Sequence, residues 1–191
     1  MSRPIPRELA RAVKLIILDV DGVLTDGGII MGTDAHGQRF EMKRFEITDG
    51  LGAKLMVEGG LHVYMVSGRR SAVNAARAAE IGVTYQEADG GYKWVVVDEI
   101  RQKYGLEWLE VCCICDDLAD LPIMRNAGLP VAVANAVPEV KAASVWETQR
   151  RGGEGAVREL AEALLRARGD WDRLVTDYEQ DRSGYPKGQN S

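Results

Sequence analysis

Asp19 stands at the end of the apolar run Lys14–Val20 and is followed by Asp21 and Gly22. A carboxylate in that place can attack phosphorus and carry the phosphoryl group as an aspartyl phosphate, which splits one displacement into two easier ones. Attack by an anion on an anionic phosphate needs a bridging cation, and Mg²⁺, with its preference for hard oxygen ligands and retained waters, suits the task. Asp116 follows a second apolar run, Glu110–Cys115. Asp19, Asp116 and the backbone carbonyl of Asp21 then make a ligand set. The Asp21 side chain is placed to protonate the leaving oxygen and later to deprotonate the attacking water. Gly22 permits the tight turn this needs.

Ser67, just after Leu61–Val66, offers a hydroxyl to a phosphoryl oxygen, and Lys93 offers a positive charge as charge develops in transfer. Asp117 is expected to orient these groups or to cap the next helix. Each residue has a commonplace role when met singly: a loop Asp-x-Asp, a capping serine, a solvated lysine, an N-cap aspartate. Their occurrence in order, three of them directly after apolar runs, is what points to phosphoryl transfer.

The elements that must position them alternate as short apolar runs and helix-like stretches, the pattern of an α/β protein with a parallel sheet flanked by helices. Strands are expected at 14–20, 61–66, 83–85, 110–115 and 130–134, and helices at 51–58, 71–81, 92–104, 118–127 and 154–168. Ile29–Met31 and Arg39–Ile47 flank a polar segment and predict an inserted β-hairpin, over about 28–47, with neither face cleanly apolar. That suits a hairpin at an interface. Residues 1–169 form the expected domain, and 170–191 read as a polar tail, mobile from Ser183 onward. In parallel sheets the ligand site lies beyond the carboxyl ends of the strands, where Asp19, Ser67 and Asp116 fall.

The chain has 191 residues, 46% hydrophobic and 28% charged, which suits one globular domain. A net charge of -5 with no long basic run argues against nucleic acid as a partner. No apolar stretch nears the length of a membrane span, and Met1–Lys14 lacks the apolar region of a secretory signal, so a cytoplasmic place is expected. Cys112, Cys113 and Cys115 crowd one apolar segment and read as buried structural thiols. His36 and His62 give little support to histidine-based hydrolysis, and neither a GxGxxG nor a P-loop follows the first strand.

DVDGVLTDG, VSGRR, the isolated Lys93 and CDDLAD resemble the four ordered motifs of the haloacid dehalogenase superfamily of phosphatases. The resemblance covers about Val13 to Arg168 and is closer to the small capless branch, the 3-deoxy-D-manno-octulosonate 8-phosphate (KDO 8-phosphate) phosphatases. The hairpin after DVDGVLTDGGIIMG, the ITDGLG segment and RGGEGAVRE also look like that branch. It implies a Rossmann-like fold with an inserted hairpin and no cap domain. It implies Asp19 as nucleophile, Asp21 as acid and base, and Mg²⁺ on Asp19, Asp21 and Asp116, with Ser67 and Lys93 completing the catalytic set. Arg69, Arg77 and Lys93 match positions that hold the substrate's phosphate or sugar-acid end. Glu46, Ile47, Thr48, Asp49, Gly50 and Lys54 match further substrate-contacting positions. A homotetramer is implied, with hairpins and tails of neighbours enclosing each site.

The chain departs from the octulosonate pattern at Cys115, where glycine is usual, across Glu46–Gly50, and at Lys54 in place of arginine. Thr48, Glu154 and the RRGGEG run lean toward phosphatases of nine-carbon sugar acids, while Arg69 follows the eight-carbon pattern. The eight-carbon substrate is favoured and the nine-carbon one is the alternative. A non-catalytic phospho-acceptor would share Asp, Mg²⁺, hydroxyl and Lys, but Asp21 would hydrolyse the phosphoenzyme such a protein must store. A pure assembly domain is disfavoured because no catalytic position is missing.

Overall fold

The computed structural model describes residues 4–183. Its strands are β1 (Leu15–Asp19), β2 (Ile30–Thr33), β3 (Arg39–Met42), β4 (His62–Ser67), β5 (Thr84–Glu87), β6 (Val111–Cys115), β7 (Leu129–Ala132) and β8 (Trp146–Glu147). Its helices are α1 (Arg7–Ala12), α2 (Ile47–Glu58), α3 (Ala72–Ile81), α4 (Lys93–Lys103), α5 (Leu121–Met124), α6 (Pro138–Ala143), α7 (Ala156–Arg168) and α8 (Trp171–Ser183). Six strands form one parallel sheet in the order β5-β4-β1-β6-β7-β8, and β2 and β3 pair antiparallel outside it.

Every residue of β1 and β6 is buried, as near-continuous apolar runs require when helices cover both faces of a parallel sheet. The three cysteines pack there as free, small apolar side chains. From β1 the chain winds outward through β4 to β5, then crosses back to β6 on the other side of β1 and on to β7 and β8. Right-handed crossovers in opposite directions put their helices on opposite faces. The reversal leaves a crevice between the carboxyl ends of β1 and β6.

The hairpin is shorter than the sequence suggests. Its second strand ends at Met42, Phe45 bridges to Thr25, and Ile47 already begins α2. The Glu46 side chain accepts the Thr48 amide and caps that helix, which is why the turn is helical where extended chain was expected. Gly50 and Gly52 weakened the helical pattern, yet α2 packs so closely on α7 that a side chain at Gly52 would strike the Arg158 backbone at 2.9 Å.

The other large difference is α8, where a polar tail was expected. Trp171 and Leu174 are buried, and the guanidiniums of Arg158 and Arg166 lie 5.1 Å from the Trp171 ring centre. Two apolar anchors a turn apart hold an otherwise polar helix against α7. The remaining tail expectation, from 184 on, lies outside the described residues. Predicted helix 118–127 is in fact a tight turn followed by the short α5, while α1, α6 and β8 were not anticipated. No helix among the described residues is long and apolar enough to cross a membrane.

Candidate active site

Asp19 ends β1 with its carboxylate buried. The next residues make one wide helical turn, Val20–Leu24, broken at Asp21 (φ -80°, ψ 108°) and Gly22 (φ 94°). Gly22 has a double reason to be glycine: its backbone is left-handed, and a Cβ there would run into the Asp116 carboxylate. Thr25 knits the turn, its Oγ1 accepting the Gly22 and Gly27 amides at 3.3 and 3.2 Å and donating to the Val20 carbonyl at 3.2 Å. Asn135 clamps it from β7's side, donating to the Gly22 carbonyl at 3.1 Å and accepting the Gly152 amide at 2.7 Å. The RGG stretch thus buttresses the loop that carries Asp19 and Asp21.

Lys93 reaches in from the start of α4. Its ammonium donates to Asp19 Oδ1 at 2.6 Å and to Asp120 Oδ1 at 2.7 Å, and all three side chains are almost fully buried. The sequence places Asp120 one helical turn beyond Asp116 but does not assign it a role. One oxygen on each of Asp19, Asp116 and Asp120 lies within 4.8 Å of the others. Burial pushes the Asp116 carboxyl up to about 8, with the Asp19 charge adding to it. Burial and Asp19 push Asp120 up to about 7 against the pull of Lys93. Burial alone would lower Lys93, but Asp19 and Asp120 reverse this and hold it above its ordinary range.

Three carboxylates facing one ammonium leave an excess of negative charge in a poorly solvated place. Asp116 Oδ1 and Asp120 Oδ2 are buried and accept no hydrogen bond. Orphaned hard oxygens beside the Asp19 carboxylate are the donor set that Mg²⁺ takes. The residues fit the ion.

The rest of the expected set divides. Ser67 is buried at the end of β4, its hydroxyl donating to the Arg69 carbonyl and accepting the Arg69 amide, both at 3.1 Å. Asp117 caps the turn after β6 by accepting the Leu118 amide at 2.7 Å. Asp21 Oδ1 accepts from Lys43 at 2.6 Å, a hairpin-end residue that the sequence did not single out. Arg69 donates to Glu41 of β3 at 3.1 Å, and Glu41 also accepts the Ser71 hydroxyl at 2.7 Å. Arg77 donates to the Glu46 carbonyl at 3.2 Å and lies 5.7 Å from the Phe45 ring centre, with Gly50 against its guanidinium. Ile47 and Thr48 are exposed beside it.

Two positions face elsewhere. Asp49 is buried with its carboxylate accepting the Arg158 amide at 2.7 Å, so it satisfies the first turn of α7. Lys54 pairs with Glu58 at 3.7 Å and lines a cleft against α8 with Arg173 and Asp177. Within this chain neither approaches the carboxylates. A cavity of about 920 Å³ between Pro4–Arg7, β8 and α7 contains none of the residues above. The carboxylate cluster instead lies at an open sheet edge, rimmed by the hairpin.

Residues 87–160 match the model of the haloacid dehalogenase-like hydrolases. The 3-deoxy-D-manno-octulosonate 8-phosphate phosphatase of Escherichia coli (strain K12) is 36% identical over 163 residues, 85% of each chain. The crystal structure of the Moraxella catarrhalis enzyme of the same name, in complex with a magnesium ion, a phosphate ion and KDO, superposes with a TM-score of 0.83. It is 34% identical and covers 90% of this chain and 97% of its own. A probable YrbI family phosphatase from Pseudomonas syringae is 36% identical, with a TM-score of 0.83 over 90% of this chain and 96% of its own.

Proposed function

Because the chain belongs to the 3-deoxy-D-manno-octulosonate 8-phosphate phosphatase family of haloacid dehalogenase-like hydrolases, we propose that it hydrolyses that eight-carbon sugar-acid phosphate through an aspartyl phosphate on Asp19. The observation that carries the reading is the buried Asp19–Lys93–Asp120 chain with the unpartnered Asp116 and Asp120 oxygens beside it.

An Asp19 oxygen attacks phosphorus while the bond from phosphorus to the sugar oxygen breaks, and Asp21 gives that oxygen its proton. Asp21, now a carboxylate, takes a proton from water as the water oxygen attacks phosphorus. The Asp19–phosphorus bond breaks, inorganic phosphate leaves, and Asp21 is again protonated. Ser67 and Lys93 hold the non-reacting phosphoryl oxygens, Lys93 sharing its protons between them and the two aspartates it already touches. Asp19, Asp116 and the Asp21 carbonyl would hold Mg²⁺, which would supply charge neutralisation at the phosphate. Asp120 keeps Lys93 in place.

Arg69 and Arg77 face the sugar acid, with Glu46–Gly50 shaping the entrance; a guanidinium meets a carboxylate with two parallel hydrogen bonds. Asp49 and Lys54 would reach a substrate only across a subunit boundary. Ile30, Met31, Phe40 and Met42 of the hairpin, 45 to 66% exposed, support a homotetramer in which neighbouring hairpins cover one another and the site. A cytoplasmic place is part of the same reading. The test is phosphate release from a panel of phosphate esters with Mg²⁺. KDO 8-phosphate is expected to be the best substrate and EDTA to stop turnover. Preference for a nine-carbon acid 9-phosphate would transfer the assignment to the alternative, and equal rates on neutral hexose phosphates would end the sugar-acid reading.

A further inference from the structure

The hairpin rim holds one charged side chain that its exposure pattern does not explain. Lys43 lies just beyond β3, whose neighbouring side chains are open to solvent, yet its own side chain has no exposed surface. Burying an ammonium is costly unless its protons are used. Two are used on groups from separate parts of the chain, Asp21 Oδ1 at 2.6 Å and Asn74 Oδ1 of α3 at 3.0 Å, and the Glu41 carboxylate of the same hairpin adds an ion pair at 3.7 Å. Asn74 is itself completely buried and points its carbonyl oxygen at Lys43, so the socket is built from below as well as from the hairpin. Asp21 Oδ2 accepts no hydrogen bond among the described residues.

We propose that Lys43 is a positioning residue for Asp21: it fixes one carboxylate oxygen and leaves the other to exchange protons with the leaving group and with water. This rests on the reading of Asp21 as acid and base. A carboxylate that must act twice, first toward the sugar oxygen and then toward water on the same line, gains from a fixed rotamer, since small misplacement of a proton-transfer group is severe in rate. Lys43 also links that rotamer to the hairpin. The same short segment that rims the substrate entrance therefore sets the geometry of proton transfer, through Glu41 and Lys43 two residues apart.

A double-mutant cycle on the full-length, Mg²⁺-loaded protein tests this, with kcat and KM for KDO 8-phosphate as readout and oligomeric state measured alongside. Lys43→Met is expected to lower kcat about 10- to 100-fold with KM little changed. In an Asp21→Asn background the same substitution should change kcat less than about twofold, because the group it positions is already gone. A hairpin-docking role would instead give the same loss in both backgrounds, and that additivity would overturn the proposal. So would full kcat in Lys43→Met when Asp21→Asn is crippled, and this leaves the reading of Asp21 standing. Full turnover by Asp21→Asn alone would remove that reading and this one with it. Lys43→Ala, which also removes the donor, runs the same cycle if the methionine variant does not fold.

Discussion

The molecule divides into a buried centre and an exposed rim, and the two are stabilised differently. At the centre Asp19, Lys93 and Asp120 are 6, 6 and 1% exposed and are held by short ionic hydrogen bonds. At the rim Ile30 and Met31 are 61 and 66% exposed, and the Arg69 guanidinium is held by a half-open contact to Glu41. The centre sits on the ends of adjoining parallel strands, which cannot move without opening the core. The rim sits on a two-stranded ribbon that, by itself, is at best marginally stable. Phosphoryl chemistry common to many substrates belongs to the rigid part. On the proposed function, recognition of one sugar acid belongs to the exposed rim.

The sharpest way to break this division is Lys93→Met. Removal of the ammonium that pairs with Asp19 and Asp120 should lower kcat by about 10²–10³-fold on every phosphate ester tested, activated aryl phosphates included. It also leaves buried charge uncompensated, so the metal-free protein should melt well below wild type and recover in Mg²⁺. Loss confined to sugar-acid substrates would place Lys93 in the rim's function instead.

Arg69→Ala should do the reverse. A loss of roughly 2–5 kcal/mol in transition-state binding is expected for KDO 8-phosphate, with aryl phosphate hydrolysis close to wild type. Comparing kcat/KM for the two substrates checks it. Equal losses on both would merge rim and centre.

Asp49 belongs to neither region. Burial raises its carboxyl from 3.8 to about 6, more than the amides of Arg158, Gly155 and Val157 lower it. A folded-state value above the unfolded one means that the neutral acid is the form the fold favours. The associated stability is complete below pH 3.8 and is lost as pH rises through about 6, reaching a penalty of up to about 3 kcal/mol at pH 7. Asp49→Asn, which keeps the acceptor for Arg158, should therefore melt above wild type at pH 7.5 and near it at pH 4. Thermal melts across that range decide it. A variant destabilised more at pH 7.5 than at pH 4 would show that the charge on the α7 terminus outweighs burial.

The same division governs what the sequence tells. Asp19, Ser67 and Asp116 were legible because each follows an apolar run that can only be a buried strand, and parallel topology then brings the strand ends together. Lys93 was legible only jointly with them. Lys43 was not: in the run Phe40–Phe45 it alternates with apolar residues and reads as one more solvated hairpin lysine, and its burial depends on Asn74, 31 residues away. Asp49 and Lys54 sit on a helix packed chiefly against α7, and α8 rests on Trp171 and Leu174 within a segment too polar to announce it. Such contacts between elements far apart in sequence leave no local period to read.

Asp19 as the carrier of the phosphoryl group can be tested directly. Asp21→Asn enzyme mixed with Mg²⁺ and an activated aryl phosphate, which needs no acid to leave, should accumulate the intermediate because the water-activating base is missing. Acid quenching, protease digestion and mass spectrometry should then find a phosphate on the peptide containing Asp19, absent when Asp19→Asn is added. A phosphate on any other residue, or turnover by Asp19→Asn at the wild-type rate, would contradict the account.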